Sequence, residues 1–192
     1  RGASSLGDVW TQPVRTRLGE WVDPSHVWAT LGAGAGFWLD AGPAATTGWS
    51  YVGIGSLEPD NNVLRGVRVR ESAPHPSGPF QGGWVGWLSY DKAAARAGAP
   101  IREDPLTTPE ALWVRAEQFV AFNHAEREVW VFAPPHLLDD FVLTVRSSVG
   151  ARHPHGDDVT AIAAVARHQA SEYACLIEDC RQLIRAGEAY QL

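Results

Sequence analysis

Sulfur is scarce in this chain: among 192 residues there are two cysteines and no methionine. The cysteines, Cys175 and Cys180, are five positions apart. On one helix that spacing sets them about 140° apart, too far round to bridge each other. They are expected to act as small buried hydrophobes, which suits a reducing cytoplasm. Positive charge is also short: 16 Lys and Arg face 22 Asp and Glu, a net charge of −6. That balance gives no support to a nucleic-acid partner or an anionic membrane surface. No apolar run approaches the ~18 residues of a membrane span. The start, Arg1-Gly2-Ala3-Ser4-Ser5, has no apolar signal segment and no Met, so a trimmed N-terminus is expected.

What is present is ordinary globular material, 45% apolar and 20% charged. Asp8 to Gln12 is weak strand material. Asp23-Pro24-Ser25 is a helix start, since Asp caps and Pro fits the first helical position. Gly32 ends that helix. Phe37 to Asp40 and Gly48 to Gly55 read as strands, with Trp49 and Tyr51 alternating against Ser50 and Val52. Val63 to Glu71 alternates as a half-exposed strand. The loop Pro74 to Pro79 cannot be regular, and Lys92 to Pro109 reads as a long loop. Leu112 to Phe122 and Arg127 to Ala133 form a hairpin around Asn123-His124-Ala125-Glu126. His136 to Val149 is helical and Gly150 caps it, with Leu137, Phe141, Val145 and Val149 on one stripe. A helix then runs from a Ser171 cap to Gly187, and Glu188 to Leu192 begins a strand. The fold class is α+β: a mostly antiparallel sheet with helices packed on it.

One stretch orders the rest: Phe80-Gln81-Gly82-Gly83-Trp84-Val85-Gly86-Trp87-Leu88-Ser89-Tyr90-Asp91. Both of its faces are apolar, so a central strand covered on both sides is expected. Glycine inside a strand marks a bulge or a close backbone approach. The pattern Phe-x-Gly-Gly-x-x-Gly-x-x-x-Tyr-Asp resembles a hallmark of the chorismate-utilising enzymes, component I of anthranilate synthase and of aminodeoxychorismate synthase. Gly82, Gly83, Gly86, Tyr90 and Asp91 carry that motif. Three further segments resemble the family, in the family's order. They are Phe37 to Asp40 with Trp49 to Gly53, then Phe119 to His124, whose turn usually carries Asp-His, and finally Tyr173 to Gln191.

The resemblance covers about residues 37–192 and implies the N-terminal portion of a two-sheet fold. Residues 1–150 would be the N-terminal domain, 151–170 a linker, and 171–192 the start of the chorismate-binding core, with the protein continuing beyond Leu192. An effector pocket is implied between Leu39, Asp40 and Ala41 and the segment Thr47, Gly48, Trp49 and Ser50. Regulated anthranilate synthases usually carry Leu-Leu-Glu-Ser at the first of these, where tryptophan binds as the effector. Here Ala41 replaces the serine and removes a hydroxyl, which favours aminodeoxychorismate synthase. The implied chemistry is amination of chorismate by ammonia from a glutamine amidotransferase component II, with Mg²⁺ holding the substrate carboxylate. Metal ligands and acid/base residues are expected after Leu192, so no catalytic or metal residue is assigned within the chain.

Simpler readings compete at single positions. His153-Pro154-His155 reads as a solvated linker rather than a metal site, because Pro interrupts ligand spacing. Asn123-His124 reads as a turn. Gly82-Gly83-x-x-Gly86 lacks the residues of a phosphate cradle. The nine tryptophans read as core. Anthranilate synthase component I and a stand-alone small-molecule-binding domain remain alternatives.

Overall fold

The structure is a computed structural model that describes residues 13–31, 34–58, 74–99, 109–152 and 166–190. It divides into two compact units, Arg1–His155 and Gly156–Leu192. The expectations for Asp8 to Gln12, Val63 to Glu71, His153 to Asp158, and Gln191 with Leu192 lie outside the described residues.

The first unit is an antiparallel sheet with two of its helices packed on one face. Its elements are β1 (Val14–Leu18), α1 (Pro24–Leu31), β2 (Gly36–Leu39), β3 (Trp49–Glu58), β4 (Gly83–Leu88), α2 (Tyr90–Arg96), β5 (Ala111–Asn123), β6 (Glu128–Ala133), a 3-10 turn (Pro135–Leu137) and α3 (Leu138–Ser147). The strand order is β1-β6-β5-β3-β2, with β4 also paired to β5. The long β5 is the spine. β3 pairs along one of its edges, while β4 (with Ala111 to Ala116) and β6 (with Phe119 to Asn123) pair with its two halves.

Strand alternation sorts the core into two faces. Val52, Val120, Phe122, Val129 and Val131 pack with Val27 of α1 and with Phe141 and Val145 of α3. Phe37, Tyr51, Phe119, Ala121 and Phe132 occupy the opposite face, with Phe80 of the preceding loop against them. Phe119 and Phe132 stack at 4.3 Å across β5 and β6. Asp23 accepts the Ser25 amide at 2.9 Å, so α1 is capped as its sequence implies.

A β-bulge lets β5 change partners. Ile54 opposes Gln118 but Gly55 opposes Ala116, so Glu117 is the extra residue. The strands come so close there that a Cβ on Gly55 would lie 1.7 Å from the Arg115 carbonyl oxygen.

Several expectations are corrected. β4 covers Gly83–Leu88 and, among the described residues, pairs only with β5, so the Gly-rich strand is not central there. Its apolar residues pack across the strand pair, with Val85 against the Phe37 cluster. Lys92 to Pro109 does not begin as a loop: α2 runs from Tyr90 to Arg96, and the Ser89 hydroxyl caps it by accepting the Lys92 amide at 3.2 Å. An Ala-rich run after a capping serine suffices for a short helix. An additional strand, Val14–Leu18, pairs with β6.

The second unit contains α4 (Ala170–Arg185). Its N-cap is Gln169 rather than Ser171, and the Glu172 carboxylate accepts the Gln169 amide at 3.0 Å. Cys175 is exposed and Cys180 half-buried, so neither is the core hydrophobe expected. The helix is amphipathic, and Tyr173, Leu176, Ile177, Leu183 and Ile184 are exposed along it. Tyr190 is exposed and outside any strand.

Candidate functional site

The residues implied as an effector pocket lie where β2 and β3 end together. Trp38 opposes Val52 and Leu39 opposes Tyr51, so the pleat divides the set. Leu39 and Trp49 belong with Tyr51, on the face of the Phe37 cluster. Ser50 follows the other alternation, toward the helices, and its hydroxyl meets Asp40. Thr47 and Gly48 lie in the exposed link before β3, and Gly48 takes the left-handed φ of 82° that its turn needs.

Ser50 is fully buried and is the hub of this corner. Its hydroxyl donates to Asp40 Oδ1 at 2.8 Å and accepts the Ala41 amide at 3.0 Å. His124 Nε2 lies 2.8 Å from the same oxygen. A hydroxyl has one proton and two lone pairs. With its proton on Asp40 and one lone pair on Ala41, the other lone pair takes the Nε2–H of His124. This places a hydrogen on Nε2. A histidine that donates to a buried serine does not activate it, so the trio is no hydrolytic nucleophile. It is a staple: the His124 amide also donates to the Gly48 carbonyl at 3.1 Å, which ties the β5–β6 turn to the start of β3.

By sequence, Asn123-His124 reads as a turn. For Asn123 that is what the structure has, since its side chain accepts the amides of Ala125 and Glu126 at 3.1 and 3.3 Å. His124 does more. Its place follows from the β3–β5 register, which only the structure shows: Asn123 opposes Trp49, so the next residue sits beside Gly48 and Ser50.

Above this staple is a cleft of about 360 Å³, within the first unit, walled by Trp21, Trp38 and the loop Gly42 to Ala45. Asp23, Asp40, His124 and Arg127 supply its polar groups. Of the implied pocket residues, Asp40 alone lines it. Trp21, Trp28, Trp49 and Trp130 pack against the core as the sequence implies, whereas Trp38 and Trp87 are each 38% exposed. Burial raises the Asp23 carboxyl, but hydrogen bonds from Ser25 and the fields of His26 and His124 outweigh it, so the group sits below its ordinary value.

Gly82 and Gly83 have φ of 111° and 128°, which side chains rarely adopt. Gly86 lies against Trp113: a Cβ there would be 2.0 Å from the Leu112 carbonyl oxygen and 2.6 Å from the indole. Tyr90 opens α2 with its side chain exposed, and Asp91 stands in the first turn, where a carboxylate favours the helix dipole. Among the described residues, no three of His, Cys, Asp or Glu converge as metal ligands. No described helix is long and apolar enough to cross a membrane.

Comparison with known proteins decides the family, because a model of the chorismate binding enzymes matches residues 37–192. The chain belongs to the chorismate-binding enzyme family. An anthranilate synthase component 1 from Streptomyces coelicolor is 36% identical over 105 residues, covering 50% of this chain and 20% of that protein. An anthranilate synthase component I-like protein from Synechocystis is 29% identical over 114 residues, 59% of this chain and 23% of its own length. An aminodeoxychorismate synthase from Streptomyces griseus is 28% identical over 145 residues, 68% of this chain and 19% of its own. The chain therefore spans about a fifth of the length of these relatives. The antiparallel sheet with its helices is an α+β piece of the chorismate-binding fold.

Proposed function

We propose that this chain is part of an aminodeoxychorismate synthase component I. The whole protein replaces the C4 hydroxyl of chorismate with ammonia, giving 4-amino-4-deoxychorismate and water. The single observation that favours this reading within the family is Ala41. Its amide is spent on Ser50, and it has no hydroxyl to offer an effector. A glutamine amidotransferase supplies the ammonia. Mg²⁺ neutralises the substrate carboxylate and is held by residues outside 1–192. The site is in the cytoplasm, where the substrate and the amidotransferase meet.

Anthranilate synthase is the second reading, because relatives of that name match at comparable identity. The two differ in product: anthranilate formation also releases pyruvate, whereas 4-amino-4-deoxychorismate keeps its enolpyruvyl ether. The complete encoded protein, given chorismate, Mg²⁺ and ammonium, should consume chorismate without releasing pyruvate. Pyruvate release in step with fluorescent anthranilate would overturn the proposal. Residues 1–192 alone should not consume chorismate, and turnover by them would relocate the active site.

A further inference from the structure

Among the described residues only Ala44 and Arg127 combine a side chain with a left-handed backbone, at φ of 59° and 56°. They belong to different loops, far apart in sequence, yet both line the cleft beside Trp21 and Trp38. Side chains held in this region are disfavoured, and such residues gather at functional sites. At position 127 the turn would take glycine without strain. It carries arginine instead.

The arginine is held ready for a ligand. Its guanidinium carbon is 4.1 Å from the centroid of the Trp21 ring. A guanidinium held over an indole keeps N–H donors for another partner. Among the described residues Arg127 is in no ion pair. The carboxylates of the cleft have partners of their own: Asp23 accepts the Ser25 amide and hydroxyl, and Asp40 accepts the Ser50 hydroxyl. Trp38 remains 38% exposed and offers an open indole.

We propose that this cleft is a binding site for a small aromatic monocarboxylate, its carboxylate on Arg127 and its ring against Trp38. The volume, about 360 Å³, suits a compact molecule. Arginine's paired donors match a carboxylate. A doubly charged phosphate would face the charges of Asp23 and Asp40, and an amine would face Arg127. The site goes beyond chorismate amination and does not rest on it: every residue of the cleft belongs to the first unit, and none is assigned to the reaction.

The test is ¹⁹F NMR of the protein labelled with 5-fluorotryptophan, titrated with benzoate and with 1-naphthoate. Resonances assigned by Trp21→Phe and Trp38→Phe should shift saturably, with naphthoate the tighter ligand. Arg127→Gly should weaken binding by about tenfold or more without lowering the melting temperature, because glycine suits the backbone at that position. Arg127→Lys keeps the charge, loses the fork and should fall between. Benzylamine and phenyl phosphate should bind more weakly than benzoate. The proposal is overturned if benzoate and naphthoate leave the Trp21 and Trp38 signals unmoved in the millimolar range. It is also overturned if Arg127→Gly binds as the wild type does, or if phenyl phosphate binds more tightly than benzoate.

Discussion

Replacing Gly86 by alanine tests the packing of the Gly-rich strand with the smallest possible perturbation. The added Cβ would lie 2.0 Å from the Leu112 carbonyl oxygen, 2.6 Å from the Trp113 ring and 2.9 Å from the Trp113 Cα. Two of these three atoms are backbone of β5, so no rotamer change relieves the contact. Either β4 moves away by more than an ångström, losing its ladder to Ala111–Ala116, or the pair twists. Overpacking of this kind costs about 1–3 kcal/mol, and valine at the same place should exceed alanine. For a chain of this size each kcal/mol lowers the melting temperature by about 2–4 °C, so alanine should cost roughly 2–12 °C. The control is Gly19→Ala, where nothing lies within 4 Å and the backbone is not left-handed. That change should be neutral or stabilising by ~0.4–1 kcal/mol. Urea denaturation of the three proteins decides the matter. An unchanged midpoint in Gly86→Ala would refute the close approach of β4 to β5.

Ser50→Ala leaves the Ala41 amide and His124 Nε2 without their shared acceptor, and should destabilise by about 1–3 kcal/mol in denaturant melts. In ¹⁵N spectra the same variant should release His124 from its Nε2–H form. Ala41→Ser should strengthen any tryptophan binding by about the 0.5–1.5 kcal/mol of one hydrogen bond, read by calorimetry on both proteins; equal affinity would show that position 41 does not meet the effector. The Asp23 carboxyl sits below its ordinary value of 3.8, so its contribution is present above that pH and lost as the pH falls through the lower folded value. Wild type and Asp23→Asn should therefore differ in stability near neutrality and converge in acid. Burial raises the Tyr51 phenol above 10.0 despite the Phe80 amide, so its share of stability is intact below that pH and lost as pH rises through the folded value. Difference absorbance during an alkaline titration should show this phenol ionising above 10.0.

Local rules were enough to place several elements. Asp23-Pro24-Ser25 opened a helix and Asn123 turned a hairpin, because caps and turns depend on neighbouring residues alone. The alternation of residues 48–55 and the hairpin of 112–122 with 127–133 marked inner strands, and the four ordered motifs pointed to the chorismate-binding family. What pairs with what was not local. Among the described residues β4 pairs with β5 alone, in line with β6, and nothing inside residues 80–91 encodes that pairing. A run of alternate apolar residues looks the same whether one neighbour or two strands hold it. The effector set, residues 39–41 and 47–50, was close in sequence, and pleating sent Leu39 and Trp49 to one face and Ser50 to the other. His124 joined Ser50 and Asp40 only because the register of β3 on β5 set it beside Gly48. The cleft likewise exists only in three dimensions. Side chains before α1, on β2 and in two separate turns meet there, and sequence spacing cannot express a distance between loops.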